Sequence, residues 1–191
     1  MVDLARWGLG VDYPTRVTSA GGRYRYQDDW ETPDTQVIDL EFANNTLISW
    51  EGRSCNGKSI EGSSVGVIFY GETGSLLIES GNSYKIFDLK SKLVKEVKND
   101  ITANALDRSG PGMELDAMHI QNFFSAIKKG TQLNSDILSG HQSTLLVQLG
   151  NISQRTGRAL KIDPNNGRIL NDKEAMKLWS REYEKGWEPK V

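Results

Sequence analysis

Cysteine, histidine and long apolar runs are what this sequence has least of. Its single cysteine, Cys55, excludes an internal disulfide and is compatible with a reducing compartment. Only two histidines, His119 and His141, stand beside it, so a His/Cys metal cluster is not expected. No apolar run approaches the roughly 20 residues that a membrane-spanning helix needs. Asp3 and Arg6 interrupt the N-terminus and no apolar h-region follows, so no signal peptide is read there. Charges of both signs are interspersed and sum to −2, which gives no electrostatic reason to expect nucleic acid or a membrane as partner.

Catalytic signatures are missing as well. No Gly-x-Gly-x-x-Gly follows a strand. Gly8-Leu9-Gly10 has Tyr13 in place of the third glycine and follows a helix, so it is no dinucleotide fingerprint. There is no phosphate-binding loop of the Walker type, and no serine sits in a nucleophile elbow. Both histidines fall on predicted helices, on or beside the apolar stripe, where packing roles are the first expectation.

What is present is enough for one domain over residues 1–191. A chain of 191 residues and 21.3 kDa removes about 70% of its extended surface from water on folding. Val2-Asp3-Leu4-Ala5-Arg6-Trp7 reads as the inside of an amphipathic helix with no cap before it, the pattern expected of a fragment. Short β-rich runs follow at Thr15–Ala20, Thr35–Ala43, Thr46–Gly52, Val65–Tyr70, Ser75–Ser80, Tyr84–Leu89 and Leu93–Lys98. Asn44-Asn45 and Gly81-Asn82 suit tight hairpin turns, which imply antiparallel neighbours.

The period then changes. Met113, Ala117, Ile120, Phe124 and Ile127 share one helical face within Pro111–Lys129. A second helix is predicted over Ser135–Thr156, with Leu138, Leu145, Leu149 and Ile152 inward and Gly157 ending it. Asp163-Pro164-Asn165-Asn166-Gly167 reads as a turn. Asn171 and Glu174 suit a capping box opening a last helix through about Tyr183. Strands first and helices afterwards predict an α+β fold: a large open, mostly antiparallel sheet with helices packed on one face and no Rossmann domain. Val65–Tyr70 and Leu76-Leu77-Ile78 are apolar on both faces, so the sheet's second face is expected to meet a partner.

Three stretches are long for connections: Gly21–Asp34, Arg53–Ser64 and Asn99–Gly112. The first carries Arg23, Tyr24, Arg25, Tyr26 and Trp30, aromatic faces and planar donors of the kind that suit the C–H faces and hydroxyls of carbohydrates. A merely solvated, charged loop is the competing reading.

Several segments in order carry a resemblance: Glu31-Thr32-Pro33-Asp34-Thr35, Ile48-Ser49-Trp50-Glu51, Gly71-Glu72-Thr73-Gly74-Ser75-Leu76-Leu77-Ile78, His119-Ile120-Gln121-Asn122-Phe123, Gly140-His141-Gln142-Ser143, Leu149-Gly150-Asn151-Ile152, and Glu182-Tyr183 with Trp187-Glu188. Together they resemble the C-terminal domain of the glucose–fructose oxidoreductase/inositol dehydrogenase/MocA family, nearest a branch with many bacterial members. The resemblance implies a substrate-binding and oligomerisation domain from an NAD- or NADP-dependent oxidoreductase of sugars, polyols or related hydroxyl compounds. It implies that no cofactor is bound by this chain alone, which is expected to be inactive by itself.

The family's catalytic histidine would fall before Met1, and Asp3 resembles the residue that follows that motif, with a structural role. The resemblance makes Arg23, Tyr24, Arg25, Trp30, Arg53, Ser54 and His119 the candidate substrate contacts, although His119 is also read as a packing residue. It implies a homodimer or higher oligomer through the open sheet face. Soluble localisation follows, cytoplasmic or, where the parent is exported, periplasmic. Two other readings stand beside it: part of an NAD-dependent glycosidase of the same superfamily, and a free-standing carbohydrate-binding module.

Overall fold

A computed structural model describes residues 1–79, 83–98 and 111–189, with 111–114 described by backbone only. The chain divides into two compact units. One comprises Lys58–Gly140 with Met1 and Asp3–Ala5; the other comprises Arg6–Gly57 and His141–Val191 with Val2. Helix α1 (Val2–Leu9) opens the chain where the amphipathic pattern predicts.

The second unit holds β1 (Arg16–Gly22), β2 (Thr35–Glu41), β3 (Leu47–Arg53) and the short β8 (Leu160–Lys161), in the order β3-β2-β1-β8. All its pairings are antiparallel, with Val17 opposite Leu40, and Ile38 opposite both Ser19 and Trp50. Strand β2 alternates strictly: Gln36, Ile38 and Leu40 are buried, whereas Val37 faces solvent. That two-residue period puts one face on a core and leaves the other wet. The wet face carries the Arg16–Glu41 ion pair and the Ser49–Asp39 hydrogen bond.

Helix α3 (Ile137–Thr156) covers the dry face with Leu145, Leu146, Leu149 and Ile152, all buried. It packs closely on β2 at Gly150. A Cβ there would lie 2.8 Å from Ile38 Cγ1 and Cγ2, so only a glycine lets the helix settle onto β2. Polar groups are satisfied alongside: Gln36 donates to Asn151 Oδ1 at 3.4 Å and to Ser19 Oγ at 3.1 Å. Arg6 is buried and donates to Ser143 Oγ at 2.9 Å, Gln142 Oε1 at 3.2 Å and Asp12 Oδ1 at 3.0 Å. A buried guanidinium needs such partners, and truncating them would strand its charge.

The first unit holds β4 (Gly66–Tyr70), β5 (Gly74–Glu79), β6 (Tyr84–Asp88) and β7 (Leu93–Val97), in chain order and antiparallel. The predicted Gly81-Asn82 turn lies outside the described residues. Register puts Val67, Phe69, Leu76, Ile78, Tyr84 and Ile86 on one face, all half-buried. The opposite face carries Ile68, Leu77 and Phe87 together with the Lys85–Glu79 ion pair at 2.8 Å. Both faces are therefore apolar in part, as the strands' composition indicates, and Leu77 is buried.

The α+β class and the antiparallel pairing stand, with four corrections. The strands form two four-stranded sheets rather than one large one, because the β3–β4 connection contains only the isolated Ile60–Ser63 bridge. Helix α2 (Pro111–Lys129) has the predicted span, yet Ile120, Phe124 and Ile127 are each more than half exposed; the Met113 side chain lies outside the described residues. A helical period specifies a stripe and does not specify what buries it. Leu138 is likewise exposed, because α3 enters the second unit's core only from Gln142 onward.

The last helix is shorter than its capping signal suggests. Helix α4 covers Lys173–Met176, and its N-cap is Asp172, whose carboxylate accepts from Ala175 N at 2.9 Å. Asn171 instead takes a left-handed conformation at φ 57°. Beyond Met176 the chain tightens into three-residue hydrogen-bonded turns, Leu178 N to Ala175 O and Trp179 N to Met176 O.

Gly150→Val should destabilise the second unit by about 1–3 kcal/mol, the usual cost of overpacking. Combining it with Ile38→Ala should recover part of that loss in urea unfolding, since the two sites share one volume.

Candidate functional site

The long β1–β2 connection is organised by one carboxylate. Asp34 is 2% exposed and directly precedes β2. Its Oδ2 accepts the backbone amides of Tyr24 at 3.0 Å, Arg25 at 3.0 Å and Tyr26 at 3.4 Å. Its Oδ1 accepts from Thr35 Oγ1 at 2.9 Å. The Asp34 amide donates to Gly22 O at 3.1 Å, and its carbonyl accepts from Ser54 N at 2.9 Å and Ser54 Oγ at 3.2 Å. One buried residue thus ties together the start of the loop, its end and the turn after β3. The Arg25 amide, opposed by desolvation and aided by Thr35 and the Tyr24 and Tyr26 amides, lowers the Asp34 carboxyl from 3.8 to about 2.

The sheet supplies the platform. Gly22 pairs with Thr35 and Thr35 with Arg53, so the loop and the end of β3 leave the sheet side by side. Gly21 must be a glycine here: a Cβ would come within 2.8 Å of Gln36 Cα. On the helix side, Gln154 Nε2 donates to Gly21 O at 3.1 Å.

From this anchor the side chains splay outward. Arg23 pairs with Asp28 and donates to Thr32 O at 3.4 Å. Asp28 in turn accepts from Trp30 N at 3.1 Å. The guanidinium carbons of Arg23 and Arg25 lie 5.8 and 5.7 Å from the centroid of the Tyr26 ring, both within cation–π range. Tyr24 and Trp30 are 74% and 71% exposed, which leaves two aromatic faces free for a ligand. Arg53 pairs with Glu51 at 2.9 Å on the wet face of the sheet. The cluster offers stacking surfaces and forked donors. Among the described residues no group of three or more His, Cys, Asp or Glu could hold a metal ion.

The structure therefore brings Arg23, Tyr24, Arg25, Trp30, Arg53 and Ser54 to one end of one sheet. His119 lies in the other unit and is exposed on α2; His141 is exposed on α3. Neither histidine is buried, contrary to the packing role their stripes suggest. Asp3 is exposed in the first turn of α1. Sequence reasoning missed Asp34 as the organiser and Tyr26 as a ring within cation–π range of two guanidiniums. The available signal was an acidic residue closing a long loop directly before a strand.

With this geometry in place the chain can be set against known proteins. The profile of the oxidoreductase family C-terminal alpha/beta domain, of the glucose–fructose oxidoreductase/inositol dehydrogenase/MocA type, matches residues 65–189. The chain belongs to this family. No curated protein matches the sequence. Among solved structures, an oxidoreductase from Agrobacterium radiobacter in complex with NAD+, L-tartaric acid and magnesium superposes with TM-score 0.63 at 14% identity, over 84% of this chain and 46% of that one. The UDP-N-acetylglucosamine 3-dehydrogenase of Acidithiobacillus ferrooxidans gives 0.57 at 14% identity, over 81% and 44%. At such identities the likeness concerns the fold, and the chain spans about half the length of these relatives.

Among the described residues no glycine-rich turn from a strand into a helix offers a dinucleotide cradle. Every strand pairing among them is antiparallel, and Gly8 and Gly10 close helix α1 instead of linking a strand to a helix. No helix among them is long and apolar enough to cross a membrane.

A carboxyl whose pKa is lower in the folded chain stabilises that fold above its unfolded value, and the stabilisation is lost as the pH falls through the folded one. For Asp34 the window runs from 3.8 down to about 2. Asp163 and Asp172 are lowered in the same direction, first by the Asn165 and Ala175 amides. Trp30 fluorescence should report loosening of the loop across that window. Asp34→Asn should loosen the loop at neutral pH and flatten the acid response.

Proposed function

We propose that this chain is the substrate-binding part of an NAD- or NADP-dependent oxidoreductase acting on a sugar, a polyol or a related hydroxyl compound. The observation that carries the reading is the Asp34 anchor, which holds the backbone of Tyr24–Tyr26 beside Ser54 before any ligand arrives. A polyhydroxylated ligand presents apolar C–H faces and many hydroxyls. Tyr24 and Trp30 supply flat apolar surface for the first. Arg23, Arg25, Arg53 and Ser54 supply donors for the second.

The chain's own contribution is positional. A loop whose amides are already fixed loses little freedom on binding, and orientation of a substrate can lower a barrier by several kcal/mol. The solved relatives are about twice as long, and the proposal assigns the redox step to the portion this chain does not span. Membership of the family and the fold shared with two longer oxidoreductases support that division.

The proposal also assigns assembly to the first unit's sheet. Val67, Phe69, Leu76, Ile78 and Ile86 form a half-buried apolar face, and a second copy seated on it would remove that face from water. A standard interface buries about 800 Å² per partner, within reach of a four-stranded sheet.

Two measurements test these assignments. In calorimetric titration with sugars and polyols, Trp30→Ala and Arg25→Ala should each weaken binding about ten-fold, or ~1.4 kcal/mol. Unchanged affinity in both would overturn the site. Light scattering should show an oligomer that Ile86→Glu dissociates; a native chain that stays monomeric would overturn the interface.

A further inference from the structure

The sequence contains two Asn-Gly pairs, Asn56-Gly57 and Asn166-Gly167, and the fold treats their glycine amides differently. Asparagine before glycine is chemically labile because the glycine amide nitrogen, with no Cβ beside it, can reach the asparagine side chain.

At Asn166-Gly167 the fold holds every reacting group. The Gly167 amide, which would be the nucleophile, donates to Asp163 O at 2.8 Å. Asn166 Nδ2 donates to Asp163 Oδ2 at 2.9 Å, and Asn166 Oδ1 accepts from Arg168 N at 2.9 Å. Gly167 is itself buried at φ 75°, where a Cβ would come within 2.7 Å of the Tyr13 ring. Ring closure there would require the turn to open first.

Asn56-Gly57 sits differently. Both residues are exposed, in a stretch with no helix or strand. Open space surrounds Gly57, with no atom within 4 Å of the position a Cβ would take. Among the described residues no backbone carbonyl accepts from the Gly57 amide. The nucleophilic nitrogen is therefore held by no backbone hydrogen bond that must break before attack.

We propose that Asn56 is a site of spontaneous deamidation in the folded protein and that Asn166 is protected from it. The Gly57 nitrogen gives up its proton to solvent and forms a bond to Asn56 Cγ. The Cγ–Nδ2 bond breaks and ammonia leaves, producing a succinimide. Water opens that ring at either carbonyl, giving aspartate or isoaspartate without change of oxidation state. The product carries one more negative charge, in the turn that follows Arg53 and Ser54, and with isoaspartate an extra backbone carbon.

Peptide mapping by mass spectrometry after incubation in mildly alkaline buffer made with heavy-oxygen water tests this. In the native chain Asn56 should convert at least about five-fold faster than Asn166, the rate equivalent of one backbone hydrogen bond. In denaturant the two pairs should convert at similar rates. Gly57→Ala, which has room for its methyl group, should suppress conversion at residue 56 with the unfolding midpoint unchanged. Equal native rates at the two pairs, or faster conversion at Asn166, would overturn the proposal. So would an undiminished rate in Gly57→Ala.

Discussion

A single buried carboxylate decides whether the candidate site exists as a shape. Asp34 accepts three consecutive backbone amides and the Thr35 hydroxyl while its own carbonyl holds Ser54. Without it, residues 21–33 would be a long connection held mainly by the Arg23–Asp28 pair and the contacts around it. With it, the loop's first turn is drawn against the end of β3, and the exposed rings of Tyr24 and Trp30 start from a defined backbone. The arrangement is also why that carboxyl ionises so readily: donors aimed at the charged form outweigh the cost of burial.

The anchor sits on a sheet whose core is sealed. Ile38 and Leu40 on β2 are buried under α3, and Gly150 lets the helix approach closely. A loop leaving such a strand inherits its position from the core. The first unit is built on other terms. Its strands pair in sequence order through short connections, but α2 leaves its apolar stripe exposed and the sheet stays half-covered. The proposed binding site thus lies in the unit with the sealed core, and assembly is assigned to the unit with the unsealed one.

Much of this could be read in the residues themselves. The alternation in Ile38-Asp39-Leu40-Glu41-Phe42 points to a strand with one buried face, and the apolar run Val65–Tyr70 to one with two apolar faces. The helical period within Pro111–Lys129 matches α2. The errors share a cause: they concern what an element meets, which local pattern does not encode. Ile120, Phe124 and Ile127 fit a buried stripe as well as an open one. The two residues of β8 pair with β1 across more than a hundred positions of sequence, and nothing local marks them. Asn171 and Asp172 are both good capping types, and the backbone path decided between them. The arginine-rich loop was visible as a candidate, whereas its organiser looked like one more acidic residue in a charged stretch.

Amide-resolved NMR of the protein titrated with a sugar acid or polyol bears most directly on the idea of a loop fixed in advance of its ligand. The Tyr24, Arg25 and Tyr26 amides should exchange slowly with solvent in the free protein, and the Trp30 indole should shift on binding while those amides stay protected. Fast exchange of the three amides in the free protein, with no ligand-induced change in residues 21–34, would contradict the account.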